Sequence, residues 1–183
     1  MRAVRREEIL DFVTYGEQRD EARRRILDMK RPRRIHVGDN LTFLFENHDT
    51  IRYQIQEMVL AEKIVKEAEI GHEIETYNEV GGGPGELGCA LLIEIDDPAE
   101  RQVKLQRWLD LPNHLYARLA DGRRVPATYD ERQVGDTRLS SVQYLKFATG
   151  GEVPVAIGAD HPDLTAEAVL SEEQRAALEA DLQ

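Results

Sequence analysis

Residues Arg34 to Lys66 read Arg-Ile-His-Val-Gly-Asp-Asn-Leu-Thr-Phe-Leu-Phe-Glu-Asn-His-Asp-Thr-Ile-Arg-Tyr-Gln-Ile-Gln-Glu-Met-Val-Leu-Ala-Glu-Lys-Ile-Val-Lys. Two extended runs, 35–37 and 41–46, flank a turn at Gly38-Asp39-Asn40 and predict a hairpin, its type left open by the three-residue link. Beyond Asn47 and Asp49 the spacing changes and predicts a helix from about 50 to 68. Ile51, Ile55, Met58, Val59 and Val65 follow a 3.6 period on one side, and Tyr53, Leu60, Ala61 and Ile64 form a second stripe. A helix apolar on two sides lies inside its domain, so at least Gln56 or Glu57 is expected to be partly buried and hydrogen-bonded across it. Arg52, Gln56 and Glu57, with Tyr77 and Asn78 as partners, are the candidate pocket or, the expected reading, a buried structural network.

Upstream, residues 5–30 are helical by composition, with a break expected near Tyr15-Gly16 and Pro32 closing the segment. Downstream, a short helix is expected over 72–77, then a mobile surface loop at Gly81-Gly82-Gly83-Pro84-Gly85-Glu86-Leu87-Gly88 and a buried strand over 89–95. Asp97-Pro98-Ala99-Glu100 combines an acidic N-cap, proline at the first helical position and glutamate at the third. Asp121-Gly122 is a hairpin signal between 115–120 and 123–128. Residues 141–147 alternate, Gly150-Gly151 turns into a strand at 153–157, and 165–170 is a last strand. Ser171-Glu172-Glu173-Gln174 is a capping box opening a C-terminal helix over 171–182. Hairpin-linked strands beside segregated helices argue a single α+β domain spanning 1–183, a largely antiparallel sheet with helices packed on it.

The chain has 183 residues, 41% hydrophobic and 32% charged, and a net charge of −11. That composition belongs to an ordinary globule with a proper core. The longest apolar stretch, 89–93, is far too short for a bilayer, and the first residues lack the apolar centre of a signal peptide. A lone Cys89 allows no intrachain disulfide, and a cytoplasmic location is expected. Residues 1–34 form a basic helical arm, eleven Lys/Arg against seven Asp/Glu. A nucleic-acid role is not expected, because the acidic body repels phosphate at range. The arm is expected to fold back on that body as a solvated helix face.

Few motifs carry chemistry. The glycine-rich loop lacks a Gly-Lys-Ser/Thr ending and leads into a strand, so it is no phosphate cradle. Glu69-Ile70-Gly71-His72 has the Glu-x-x-His spacing of di-iron carboxylate bundles, but once only and with a glycine inside. Glu46, Glu57, Glu62 and His161 are the candidate metal set, suited to iron, manganese or zinc. Asp160-His161-Pro162 offers either an imidazole oriented by Asp160 or a turn that Asp160 caps. Cys89 reads as a buried structural thiol.

The segments Leu41–Glu46, Ile51–Met58, Glu62, Tyr77-Asn78, Leu92–Ile95, Ser141–Phe147 and Ala156–Pro162, in that order along nearly the whole chain, resemble a bacterial family known only as domain of unknown function 3501. The resemblance implies no reaction. It implies a small soluble protein, often encoded beside rubrerythrin-like proteins and iron–sulfur oxidoreductases. His72 and the loop at 81–88 depart from the pattern expected in relatives. Together these readings predict a cytoplasmic accessory or binding protein working with a redox partner, with no resident cofactor and not a conventional enzyme. A metal-dependent enzyme or metal carrier is the alternative.

Overall fold

The hairpin that opens the central segment forms as its sequence predicts. In the computed structural model, which describes residues 1–183, strands β1 (Arg34–Val37) and β2 (Leu41–Glu46) pair antiparallel with Val37 opposite Leu41. Gly38 makes the turn at φ 60°, a left-handed conformation that glycine adopts without steric cost. β2 then pairs with β3 (Leu87–Ile93), and β3 with β6 (Val142–Phe147), giving the order β1-β2-β3-β6. A second sheet takes β4 (Leu115–Arg118), β5 (Arg124–Pro126), β7 (Ala156–His161) and β8 (Leu164–Val169) in the order β5-β4-β7-β8. Every pairing is antiparallel. The expected single sheet is therefore two sheets, which share one core.

That core contains 24 buried residues from both sheets and from α4 (Pro98–Arg107) and α5 (Glu172–Leu182). Phe147 lies between Phe43 and Phe45, with ring centroids 6.4 and 6.1 Å apart. Alternation puts Gln143, Leu145 and Phe147 inward along β6 and leaves Val142 and Tyr144 exposed. The Asp97 and Ser171 caps form as their sequences predict, each accepting the backbone N–H three residues on. β7 begins at Ala156 rather than Val153.

A second cluster of eight residues, Val4, Ile9, Ile51, Ile55, Val59, Ile64, Ile70 and Ile74, joins the N-terminal segment to two helices. These are α2 (His48–Ala61) and α3 (Glu67–Asn78), where the sequence predicts one helix to about 68 and a short one after it. α2 stops because Lys63 turns left-handed at φ 49°, with the Ile64 and Lys63 amides bonding back to the Val59 and Leu60 carbonyls. That is a Schellman ending with lysine in the usual glycine position, which hides it from a sequence reading. α1 (Phe12–Lys30) runs unbroken through Tyr15-Gly16. One glycine costs only about 1 kcal/mol in a helix, and Asp11 caps the start by accepting the Val13 and Thr14 amides.

The segment 81–88 is packed rather than a mobile surface loop. Gly81, Gly82 and Gly88 are buried, and a Cβ on Gly88 would sit 2.3 Å from the Val80 carbonyl oxygen. Close backbone approach, not flexibility, is what these glycines serve.

Candidate functional site

Three of the five predicted pocket residues are spent on tying the N-terminal segment to the helices. Gln56, buried at 4% exposure, accepts the Leu10 amide through Oε1 at 2.6 Å and donates to the Leu10 carbonyl through Nε2 at 3.2 Å. Asn78 repeats the device on Val4, accepting its amide and donating to its carbonyl at 2.9 Å each. Each amide side chain thus does what a neighbouring strand would do. Glu57 accepts from the Tyr15 hydroxyl at 2.7 Å and from the Arg19 guanidinium at 2.7 and 2.9 Å. The Arg19 hydrogen bond holds the Glu57 carboxyl below its ordinary range against some burial, while burial and the Glu57 bond push the Tyr15 phenol up. The expected partners Arg52, Tyr77 and Asn78 are not the ones used. Arg52 reaches only Asp49, at 3.6 Å.

The basic arm does fold back on the acidic body. Arg6 pairs with Glu67, Arg19 with Glu57, and Arg33 with Asp181. The Arg33–Asp181 pair is buried and bidentate at 2.7 and 2.8 Å, and Arg33 also donates to the Met29 carbonyl at 2.8 Å. Glu46 lies nearby with Lys30 at 3.9 Å, and its Oε2 is buried without a partner. Burial pushes its carboxyl pKa up despite that lysine.

The candidate metal residues do not converge. Glu46 ends β2, Glu57 faces α1, Glu62 is exposed at the end of α2, and His161 lies in the other sheet. No group of three or more His, Cys, Asp or Glu side chains is arranged to hold an ion. His161 is a strand residue, not part of an Asp160-capped turn. Its Nε2 faces Asp110 at 3.1 Å, and its Nδ1 accepts the Asp163 amide. Asp160 instead faces His114 at 3.4 Å and Arg124 at 3.1 Å. Cys89 is fully buried, and desolvation raises its thiol pKa far out of the nucleophilic range.

Tyr77, the remaining predicted residue, lines a groove of about 680 Å³ between α3, the 128–133 segment and β6. Met58, Val80, Tyr129, Tyr144 and Lys146 line it too. Beside it runs the free edge of β6. Lys146 exchanges two 2.8 Å backbone bonds with Thr128, but Tyr144 is met by a side chain. Gln133 accepts the Tyr144 amide at 2.7 Å and donates to its carbonyl at 3.1 Å. An Asp130–Arg132 ion pair braces the segment, and the Arg132 hydrogen bonds hold the Asp130 carboxyl down at about 2. Tyr144 remains 44% exposed. Sequence reasoning missed Met58, Tyr129, Gln133 and Tyr144 because they come from three separate stretches. Only Tyr144 left a trace, at an outward position of an alternating strand.

No helix is long and apolar enough to cross a membrane. A family model described as "Protein of unknown function (DUF3501)" matches residues 3–182. No curated protein matches. A crystal structure described as a novel protein of unknown function from Burkholderia pseudomallei K96243 superposes with a TM-score of 0.91 at 29% identity, covering 100% of both chains.

Proposed function

This chain belongs to the family Protein of unknown function (DUF3501), and from that premise we propose that it is an accessory protein that binds a redox partner in the cytoplasm, through the tyrosine-lined groove beside β6. The observation that carries this reading is the composition of that groove. Tyr77, Tyr129 and Tyr144 line it together with Met58 and Val80, with Glu73, Glu79, Arg132 and Lys146 among its charges. Tyrosine, methionine and arginine are the residues that protein interfaces concentrate, and charges of both signs give a partner register. A half-exposed Tyr144 on an ordered strand offers a rigid anchor at small entropic cost. The partner class comes from the family resemblance: a rubrerythrin-like or iron–sulfur protein.

The test is calorimetric titration of the protein with purified rubrerythrin-like and iron–sulfur oxidoreductase proteins. Binding is expected to at least one, weakened roughly tenfold or more by Tyr77→Ala combined with Tyr144→Ala, as for truncation of an interface anchor. No heat with either class would remove the redox part of the proposal. Full affinity in the double variant would remove the groove.

A further inference from the structure

We propose a second site, independent of the groove: a cleft between α1 and α2 that takes a small zwitterion of the α-amino-acid type with an apolar side chain. Two helices that pack together normally bring apolar stripes to their shared seam. Here Gln18, Glu21, Ala22 and Arg25 on α1 share one helical face, and Asp49, Arg52, Tyr53 and Gln56 do so on α2. Between them is a cleft of about 330 Å³, small beside ordinary ligand pockets and suited to a ligand of few atoms. Ala22, the smallest residue on either face, leaves the space open. Tyr15, Ile26 and Gln56 are buried in its lining, while Gln18, Glu21 and Arg25 are exposed at its rim.

The charges decide the ligand class. Of the three acids in the lining, Glu8 is already occupied by Arg2 at 2.7 Å, the Arg5 amide at 2.8 Å and His48 at 3.0 Å. Asp49 faces Arg52 at 3.6 Å, too far for a good hydrogen bond, so the guanidinium is free to turn. Arg25 and Glu21 have no ion-pair partner. The cleft therefore offers the Arg25 and Arg52 guanidiniums suited to a carboxylate, the Glu21 and Asp49 carboxylates suited to an ammonium group, and an apolar floor from Tyr15 and Ile26. A dianion would meet Glu8, Glu21 and Asp49, and an amine lacking a carboxylate would meet Arg25 and Arg52. Only a ligand carrying both charges satisfies the lining.

Thermal unfolding of the whole protein tests this with leucine and phenylalanine as probes. Isocaproate, which is leucine without its amine, and isopentylamine, leucine without its carboxylate, are the controls. Leucine or phenylalanine is expected to raise the midpoint by roughly 3–6 °C at about ten times Kd, with far smaller rises from either control. Arg52→Met and Glu21→Gln, both outside the apolar core, should abolish the rise without moving the unliganded midpoint. Ala22→Phe should do the same by filling the cleft. The proposal is overturned if neither amino acid raises the midpoint, if isocaproate matches leucine, or if the rise survives in Arg52→Met and Glu21→Gln. Those two variants decide the matter even if Ala22→Phe fails to fold.

Discussion

The sheet core and the helical cap hold themselves together by different means. The two sheets bury 24 residues in one cluster, with phenylalanines from β2 and β6 in contact across it. The cap of α2, α3 and the N-terminal segment buries eight. What the cap lacks in apolar area it makes up with directed bonds: Gln56 on Leu10, Asn78 on Val4, and Glu57 on Tyr15 and Arg19. Burial is strong but indifferent to register, whereas a two-point amide clamp fixes which backbone group lies where. Strands already fix their register through the ladder. A chain segment lying on helices has no ladder, and side-chain amides supply one.

This contrast can be broken by substitution. The largest effect is expected for Phe147→Ala, roughly 3–5 kcal/mol in urea unfolding, since a fully buried ring would leave a cavity between packed sheets. Gln56→Ala should cost less, roughly 1–3 kcal/mol, by leaving the Leu10 amide and carbonyl short of partners. Hydrogen exchange sharpens the distinction. The Leu10 amide should lose protection selectively in Gln56→Ala, whereas Phe147→Ala should lower protection throughout the sheets. A Gln56→Ala variant with unchanged exchange at Leu10 would mean the clamp is dispensable.

Glu57→Gln should cost about 1–2 kcal/mol near neutral pH, the difference between a charge-assisted and a neutral hydrogen bond. Its pH dependence follows from the lowered carboxyl. A carboxyl depressed in the folded state adds stability that is fully present above its unfolded pKa and is lost as pH falls through the folded value. The gap between wild type and Glu57→Gln should therefore be constant above the ordinary carboxylate range and close in acid. A gap that widened as pH fell would contradict the Arg19 pairing. The smallest effect is expected for Tyr144→Ala, within about 0.5 kcal/mol, because its ring lies on the surface beside the groove. A large loss there would make Tyr144 part of the fold rather than a docking residue.

Local chemistry was the legible part of this sequence. Gly38, Asp97-Pro98, Asp121-Gly122 and Ser171–Gln174 each announced a turn or cap that the structure contains, because such motifs are decided within a few residues. The end of α2 was not legible, since Lys63 occupies a conformation that normally advertises itself with glycine. The burial of Gln56 was readable from the apolar stripes around it, but its partner was not. Leu10 lies 46 residues away in a segment without periodicity. The groove was legible only in Tyr77 and the α1–α2 cleft only in Arg52 and Gln56, the rest of each being made by how elements meet.

The buried pair between Arg33 and Asp181 sets a timetable for the newborn chain. Its two residues lie 148 apart in sequence. At ordinary rates of protein synthesis Asp181 is made roughly 7–30 s after Arg33. During that interval the guanidinium has no carboxylate to meet it, and burying it alone would cost several kcal/mol. The corner where α1 enters the first sheet must stay open to water until Asp181 has been made. Its closure waits on α5, which is made after the strands of both sheets.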